Sequence, residues 1–210
     1  MKKLLAIMMM VLPMITMLTS CKSDEDKVRE TAEAYLYKNM KNPESLKILS
    51  CEVRKDTIPF YLAEELMDMA GKFYEAFDDY NRYKDRSSLW LDEKIESITN
   101  LQKAKESLKT MYDSYKQNDS LEIEYIAYVK SSATNPMGGT VSNSTIIIVE
   151  KNDPTKLLGS FIIDQDFIKR FVILKMVESD FEFEFKTNKF GKYETEGMPY
   201  FEQFVMNVAE

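Results

Sequence analysis

Apolar positions along this chain recur with two different periods, and the switches between them outline the fold. Residues 28–40 place Val28, Ala32, Tyr35, Leu36 and Met40 at intervals of three and four, which predicts a helix with one apolar stripe. Lys41-Asn42-Pro43 ends it, because proline disfavours the helical conformation of the residue before it. Leu46 to Val53 then alternates as a strand with neither face purely apolar, and Asp56 to Pro59 closes that strand. Residues 60–84 return to a helical period, with Leu62, Leu66, Met69, Phe73, Ala76, Tyr80 and Tyr83 as a heptad-like seam. After the polar break Arg86-Ser87-Ser88, where Ser88 is placed to cap, residues 89–117 repeat the pattern. Their stripe is Leu91, Ile95, Ile98, Leu101, Ala104, Leu108, Met111 and Tyr115. Two long helices joined by a short loop predict an antiparallel helical hairpin over 60–117.

The remainder is richer in strand. Ser120 to Ser131 alternates, with Leu121, Ile123, Tyr125, Ala127 and Val129 against Glu122, Glu124 and Lys130. A Thr134-to-Gly139 turn leads to a second strand over 140–150. Asn152-Asp153-Pro154 turns again into a third strand over 156–163. Three strands with short turns predict an antiparallel meander. A helix follows from near Asp164 to Ser179. Phe181 to Phe185 alternates like a strand, residues 186–199 read as a polar loop, and Tyr200 to Val208 as a closing helix with Phe201, Phe204 and Val205 inward. The fold class expected is α+β. An antiparallel sheet of about four strands is packed by the N-terminal helix and carries an inserted helical hairpin.

The first residues follow another logic. Lys2 and Lys3 precede an uncharged apolar stretch, Leu4 to Leu18, too short for a membrane span of about 20 residues and interrupted by Pro13. Leu18-Thr19-Ser20-Cys21 ends it and resembles the cleavage and lipidation signal of bacterial lipoproteins. That resemblance implies that residues 1–20 are a signal peptide and that Cys21 is acylated and becomes the first residue, tying a soluble domain to the lipid bilayer. Residues 21–27 read as an acidic tether. Their Asp24-Glu25-Asp26 resembles the export tag of surface-exposed Bacteroidota lipoproteins, which implies an outward-facing domain on the outer membrane. As a plain solvated charge cluster, the same triplet leaves a periplasm-facing domain open. Residues 28–210 are expected to form one domain.

Charge and composition narrow the chemistry. The chain of 210 residues carries 28 Lys and Arg against 35 Asp and Glu, and losing residues 1–20 takes its net charge from −7 to about −9. Net acidity without a basic tract argues against nucleic acid as a partner. There is no histidine, which removes Ser-His-Asp and Cys-His catalysis and the common zinc and copper sites. With Cys21 acylated, Cys51 has no disulfide partner, and its apolar surroundings read as those of a small core residue. Gly138-Gly139 lacks the Lys-Ser/Thr of a phosphate loop and reads as a hairpin turn. No calcium-loop spacing occurs, and no cofactor is expected.

The segment Lys41-Asn42-Pro43-Glu44-Ser45 after a helix, with strands around Asn135-Pro136-Met137-Gly138-Gly139, resembles small bacterial secreted domains of cystatin-like and nuclear-transport-factor-like α+β architecture. The resemblance covers residues 28–59 and 120–163 and implies no catalytic residues. Asp56-Thr57-Ile58 and Asp119-Ser120-Leu121 resemble Bacteroidota O-glycosylation sites, which makes Thr57 and Ser120 candidate glycan positions. Tyr61, Tyr74, Tyr80, Tyr83, Tyr112 and Tyr115 either cover the hairpin seam or offer a sticky surface. The leading expectation is a non-enzymatic binding or accessory module at the outer membrane, meeting an envelope protein through the hairpin. A small-ligand carrier using the concave face of the sheet is the alternative. A hydrolase working through paired carboxylates comes third and requires two facing acids in a cleft.

Overall fold

The computed structural model describes residues 22–40, 42–119, 122–135, 137–179 and 198–208. The lipidation motif Leu18 to Cys21, Ser120, and the expected strand and loop over 181–197 lie outside the described residues.

Helix α1 (Asp24–Asn39) begins four residues earlier than its apolar stripe predicts. Ser23 Oγ accepts from the Asp26 N–H at 3.1 Å, and the Asp26 carboxylate accepts from the Ser23 N–H at 3.3 Å, a reciprocal capping box. The acids expected to form a tether, Asp24, Glu25 and Asp26, are instead the first turn of this helix. Their charges there oppose the positive end of the helix dipole. Val28, Ala32 and Leu36 are buried on one stripe.

Strand β1 (Lys47–Thr57) runs past the expected stop at Asp56. A bulge between Ile48 and Ser50 makes Leu49 an extra residue, 61% exposed. The bulge explains the imperfect alternation, because Ile48, Cys51 and Val53 all come to pack beneath α1. A 3-10 turn (Phe60–Leu62) leads to α2 (Glu64–Tyr83) and then α3 (Leu91–Gln117), the expected hairpin. Ser88 does not cap α3. It opens a further 3-10 turn, Ser88–Trp90, and α3 starts behind Trp90 without a side-chain cap.

Strands β2 (Ile123–Thr134), β3 (Thr140–Val149) and β4 (Leu157–Ile162) complete an antiparallel sheet in the order β1-β2-β3-β4. Gly138, at φ +82°, turns the chain between β2 and β3, where the Asn135 carboxamide oxygen accepts from the Met137 and Gly139 N–H groups. Helix α4 (Gln165–Glu178) starts behind Asp164, whose carboxylate accepts from the Phe167 N–H at 2.8 Å. Helix α5 (Tyr200–Met206) buries Phe201, Phe204 and Val205 as expected. The chain is α+β, as its periodicities predict.

Three layers result. Tyr125, Ala127, Val129, Ile147 and Val149 face α1. Ile126, Tyr128, Ile146 and Ile148 point the other way, into a larger core shared with α2 to α5. The middle strands are therefore apolar on both faces, whereas the sequence suggested one apolar face of β2 against a charged one. The hairpin root is part of this core: Leu66, Ala70 and Leu108 are fully buried. It adheres to α4 at Gly71, where a Cβ would lie 3.2 Å from the Arg170 guanidinium carbon, and Arg170 pairs with Asp68 at 2.9 Å.

Candidate functional site: the far end of the hairpin

Among the described residues, only the root of the hairpin has a layer beneath it. In α3 the buried positions are Ser97, Leu108 and Tyr112. Leu91, Ile95 and Ile98, placed by periodicity in the seam, are instead 54%, 53% and 36% exposed. With Leu89 at 89% and Trp90 at 40%, they leave an apolar far end open to solvent. The reason is length: α3 has 27 residues, and neither the sheet nor α4 reaches its first turns. A polar contact links the two arms there: Lys94 Nζ donates to the Lys84 carbonyl at 2.5 Å, while Ser97 Oγ donates within α3 to the Lys94 carbonyl at 2.9 Å. The Tyr83 and Trp90 rings lie 6.3 Å apart, and the Arg86 guanidinium sits 5.4 Å from the Trp90 ring centre.

The tyrosines are not that surface. Tyr112 is buried, and Tyr61 packs at 5.9 Å from Phe171 and 6.0 Å from Phe201. Tyr74, Tyr80, Tyr83 and Tyr115 are half-buried, and the Tyr115 hydroxyl donates to Glu65 of the facing helix at 3.0 Å. They close the seam, and aliphatic side chains with Trp90 carry the exposed surface. Burial first, and then nearby carboxylates, hold the Tyr61 and Tyr112 phenols well above their usual pKa.

A second concavity lies on the other side of the sheet. The C-terminal end of α1 and the neighbouring ends of β2, β3 and β4 enclose an open groove of about 650 Å³. Leu36, Met40, Ala133, Val141 and Ile162 supply its apolar wall, and Tyr35, Asn39 and Asn143 its polar groups. Among the described residues, no phenylalanine lines it.

The remaining candidates separate. Cys51 is half-buried under α1, and burial pushes its thiol pKa up, away from the reactive thiolate. Thr57 closes β1, half-buried, with its N–H donating to the Asp56 carboxylate at 2.8 Å. Among the described residues, the carboxylates with shifted pKa move in one direction. Asp26 is held down by its bonds to Ser23, Asp153 by its bonds to Thr155, and Glu52 by the Tyr200 hydroxyl and then Arg54. Across that last contact the Tyr200 phenol is pushed up to about 12, by burial and then by Glu52. A general acid needs a raised carboxyl pKa, the opposite shift. Among the described residues no group of three or more Cys, Asp or Glu is arranged to hold a metal ion, and no helix is long and apolar enough to cross a membrane.

Comparison with protein-family models, curated proteins and solved structures finds no match to this chain.

Proposed function

We propose that this chain is a lipoprotein anchored to the outer membrane through acylated Cys21, and that it acts there as a non-enzymatic binding or accessory module. Its partner surface is the far end of the α2–α3 hairpin, and its partner an envelope protein. One observation carries this reading: Leu89, Trp90, Leu91 and Ile95, within seven residues at the far end of the hairpin, are all exposed on a chain that buries two apolar cores elsewhere. A clustered apolar surface of this kind marks an interaction site, and a central aromatic with aliphatic neighbours is the composition of an interface core. The acidic triplet after Cys21 favours a domain facing outward from the cell.

The test is crosslinking of the lipidated protein in its own envelope through a photoreactive residue at position 89, which is exposed at the same end. A single dominant partner is expected. The pair Leu91→Ser and Ile95→Ser should abolish that crosslink while stability changes by less than about 0.5 kcal/mol, as for exposed substitutions. Retention of the partner by this variant, or turnover of a small substrate by the purified protein, overturns the reading.

The groove beside α1 favours a second reading, a small-ligand carrier. Its volume of about 650 Å³ lies within the range of ligand sites. A metabolite extract that raises the melting temperature of the wild-type protein, but not of Val141→Trp, would support it.

A further inference from the structure

The groove beside α1 changes character with depth. Ser131 follows Tyr125, Ala127 and Val129 on the face of β2 that looks toward α1, and it stands opposite Asn143 of β3 in the sheet register. Thr145 is the next residue on that face of β3. Ser131, 1% exposed, and the buried Thr145 form the deep floor, while the exposed Val141 and Ile162 form an apolar mouth. The Ser131 hydroxyl has no hydrogen-bond partner among the described residues. The Tyr35 hydroxyl on the facing wall, by contrast, is already bonded to the Ser160 hydroxyl at 2.6 Å. Among the described residues, no side chain lining the groove carries a charge, in a chain that is 30% Asp, Glu, Lys and Arg.

Each part of this lining selects one part of a ligand. The apolar wall takes a hydrocarbon body, which gains by leaving water. A buried hydroxyl without a partner is costly, and an oxygen seated against it removes that cost. One rotation about the Ser131 Cα–Cβ bond turns the hydroxyl to an oxygen lodged beside Asn143, whose carboxamide offers both a donor and an acceptor. A carboxylate or an ammonium at that depth would meet no opposite charge in this lining, and burying an unpaired charge costs far more than burying a hydroxyl. We propose that the groove binds one uncharged amphiphile, a long-chain alcohol, with its hydroxyl at Ser131 and Asn143 and its chain running past Leu36, Met40 and Val141 to the mouth at Ile162. The assignment rests on the carrier reading of this groove and names its ligand class. The far end of the hairpin takes no part in it.

Calorimetric titration with 1-decanol tests this. It uses the chain from Lys22 onward, which holds every described helix, strand and core residue. One decanol per chain is expected. Decanoate and decyltrimethylammonium, of matched chain length with a negative and a positive head, should each bind weaker by about tenfold or more. Ser131→Ala keeps the apolar wall and removes the hydroxyl. It should weaken decanol by about fivefold without lowering the melting temperature, since the group it removes has no partner. Val141→Trp, filling the mouth from an exposed position, should abolish decanol binding and leave the circular dichroism melt unchanged. Absence of saturable decanol binding, a charged counterpart that binds as tightly, or undiminished binding by either variant overturns the proposal. Decanoate or extract metabolites held by the wild-type protein and lost in Val141→Trp would keep the groove as a ligand site and overturn only the uncharged class. No ligand lost with Val141→Trp in either experiment overturns the carrier reading as well.

Discussion

Replacing Lys175 by methionine should cost the fold a large part of its stability, because of one buried carboxylate. Glu202 sits in α5 at 8% exposure, between Phe201 on one side and Phe204 and Val205 on the other. Its cationic neighbour is Lys175 of α4, with Nζ 3.1 Å from Glu202 Oε1. Lys175 also pairs with Glu178, but that carboxylate is 42% exposed and its loss of a partner is cheap. Removing one member of a buried pair leaves an uncompensated charge and costs about 3–5 kcal/mol. Against a total of about 5–15 kcal/mol for a domain, that is a severe lesion. At about 2–4 °C per kcal/mol for a chain of this size, the melting temperature should fall by about 6–20 °C.

A double-mutant cycle separates the pair from its surroundings. Lys175→Met and Glu202→Met should each destabilise, and the double variant should recover wild-type stability or exceed it by about 1–4 kcal/mol, since apolar side chains replace buried pairs well. Urea unfolding followed by far-ultraviolet circular dichroism reads all four proteins. The pair also has a pH signature. Burial pulls the Lys175 pKa down, but its bonds to Glu178 and Glu202 outweigh this, and the net shift is upward. A raised folded pKa gives stability that is complete below the unfolded value of about 10.4 and lost as pH rises through the folded value. That increment should be missing from Lys175→Met. A cost below about 1 kcal/mol for Lys175→Met, or a double variant as unstable as the sum of the singles, refutes the reasoning.

Three further outcomes are expected. Ser23→Ala removes one half of the α1 capping box and should cost about 0.5–2 kcal/mol in urea unfolding; no change would mean that α1 starts elsewhere. Gly138→Ala places a Cβ in open space but at φ +82°, so its penalty of about 1–2 kcal/mol should come from the backbone alone, and Gly138→Asn should be milder. The Tyr61, Tyr112 and Tyr128 phenols are all raised, chiefly by burial, so stability should be complete below their unfolded pKa of about 10 and fall as pH climbs beyond it. Absorbance at 295 nm should then show a late tyrosine fraction ionising together with the loss of circular dichroism, and ionisation of every tyrosine near pH 10 in a folded chain would contradict it.

Periodicity carries the elements whose cover is continuous. Val28, Ala32 and Leu36 lie under α1, the run Thr145 to Val149 forms the middle of the sheet, and Asp164 caps α4 as its position before an apolar stripe suggests. It fails where cover stops or shifts. The stripe of α3 is regular from Leu91 to Tyr115, yet a stripe does not say how far the neighbouring layer extends, and its first half is exposed. The bulge at Leu49 moves side chains between faces by one residue, which strict alternation cannot register. The acids at 24–26 carry charge and cap chemistry at once, and the Ser23-x-x-Asp26 spacing was the signal that distinguishes them. The hairpin was legible as an element, and its exposed end was not. A cavity between α2, α3 and α4 draws on residues 73–77, 101–105 and 168–176, which only the packing of three helices brings together.

The early start of α1 changes what an anchor at Cys21 does. Two residues separate that cysteine from the first helical turn, and three extended steps span at most about 10 Å. If Cys21 carries the proposed acyl anchor, that anchor would hold the N-terminal end of α1 at the bilayer instead of letting the domain range on a long tether. Thr31 Oγ1 donates to the Pro154 carbonyl at 2.8 Å, so the turn between β3 and β4 packs beside the middle of α1. Asp24, Glu25 and Asp26 would face the headgroups first, and anionic lipid repels them. Repulsion at one end and a covalent anchor beside it favour α1 standing away from the surface over lying along it. The groove at Asn39 and Met40 then sits at the far end of a helix of sixteen residues, about 24 Å along its axis from the anchored turn. A ligand for the sheet groove would thus arrive from the aqueous side, and a lipid-facing route into it would require α1 to tilt its acidic turn into the headgroups.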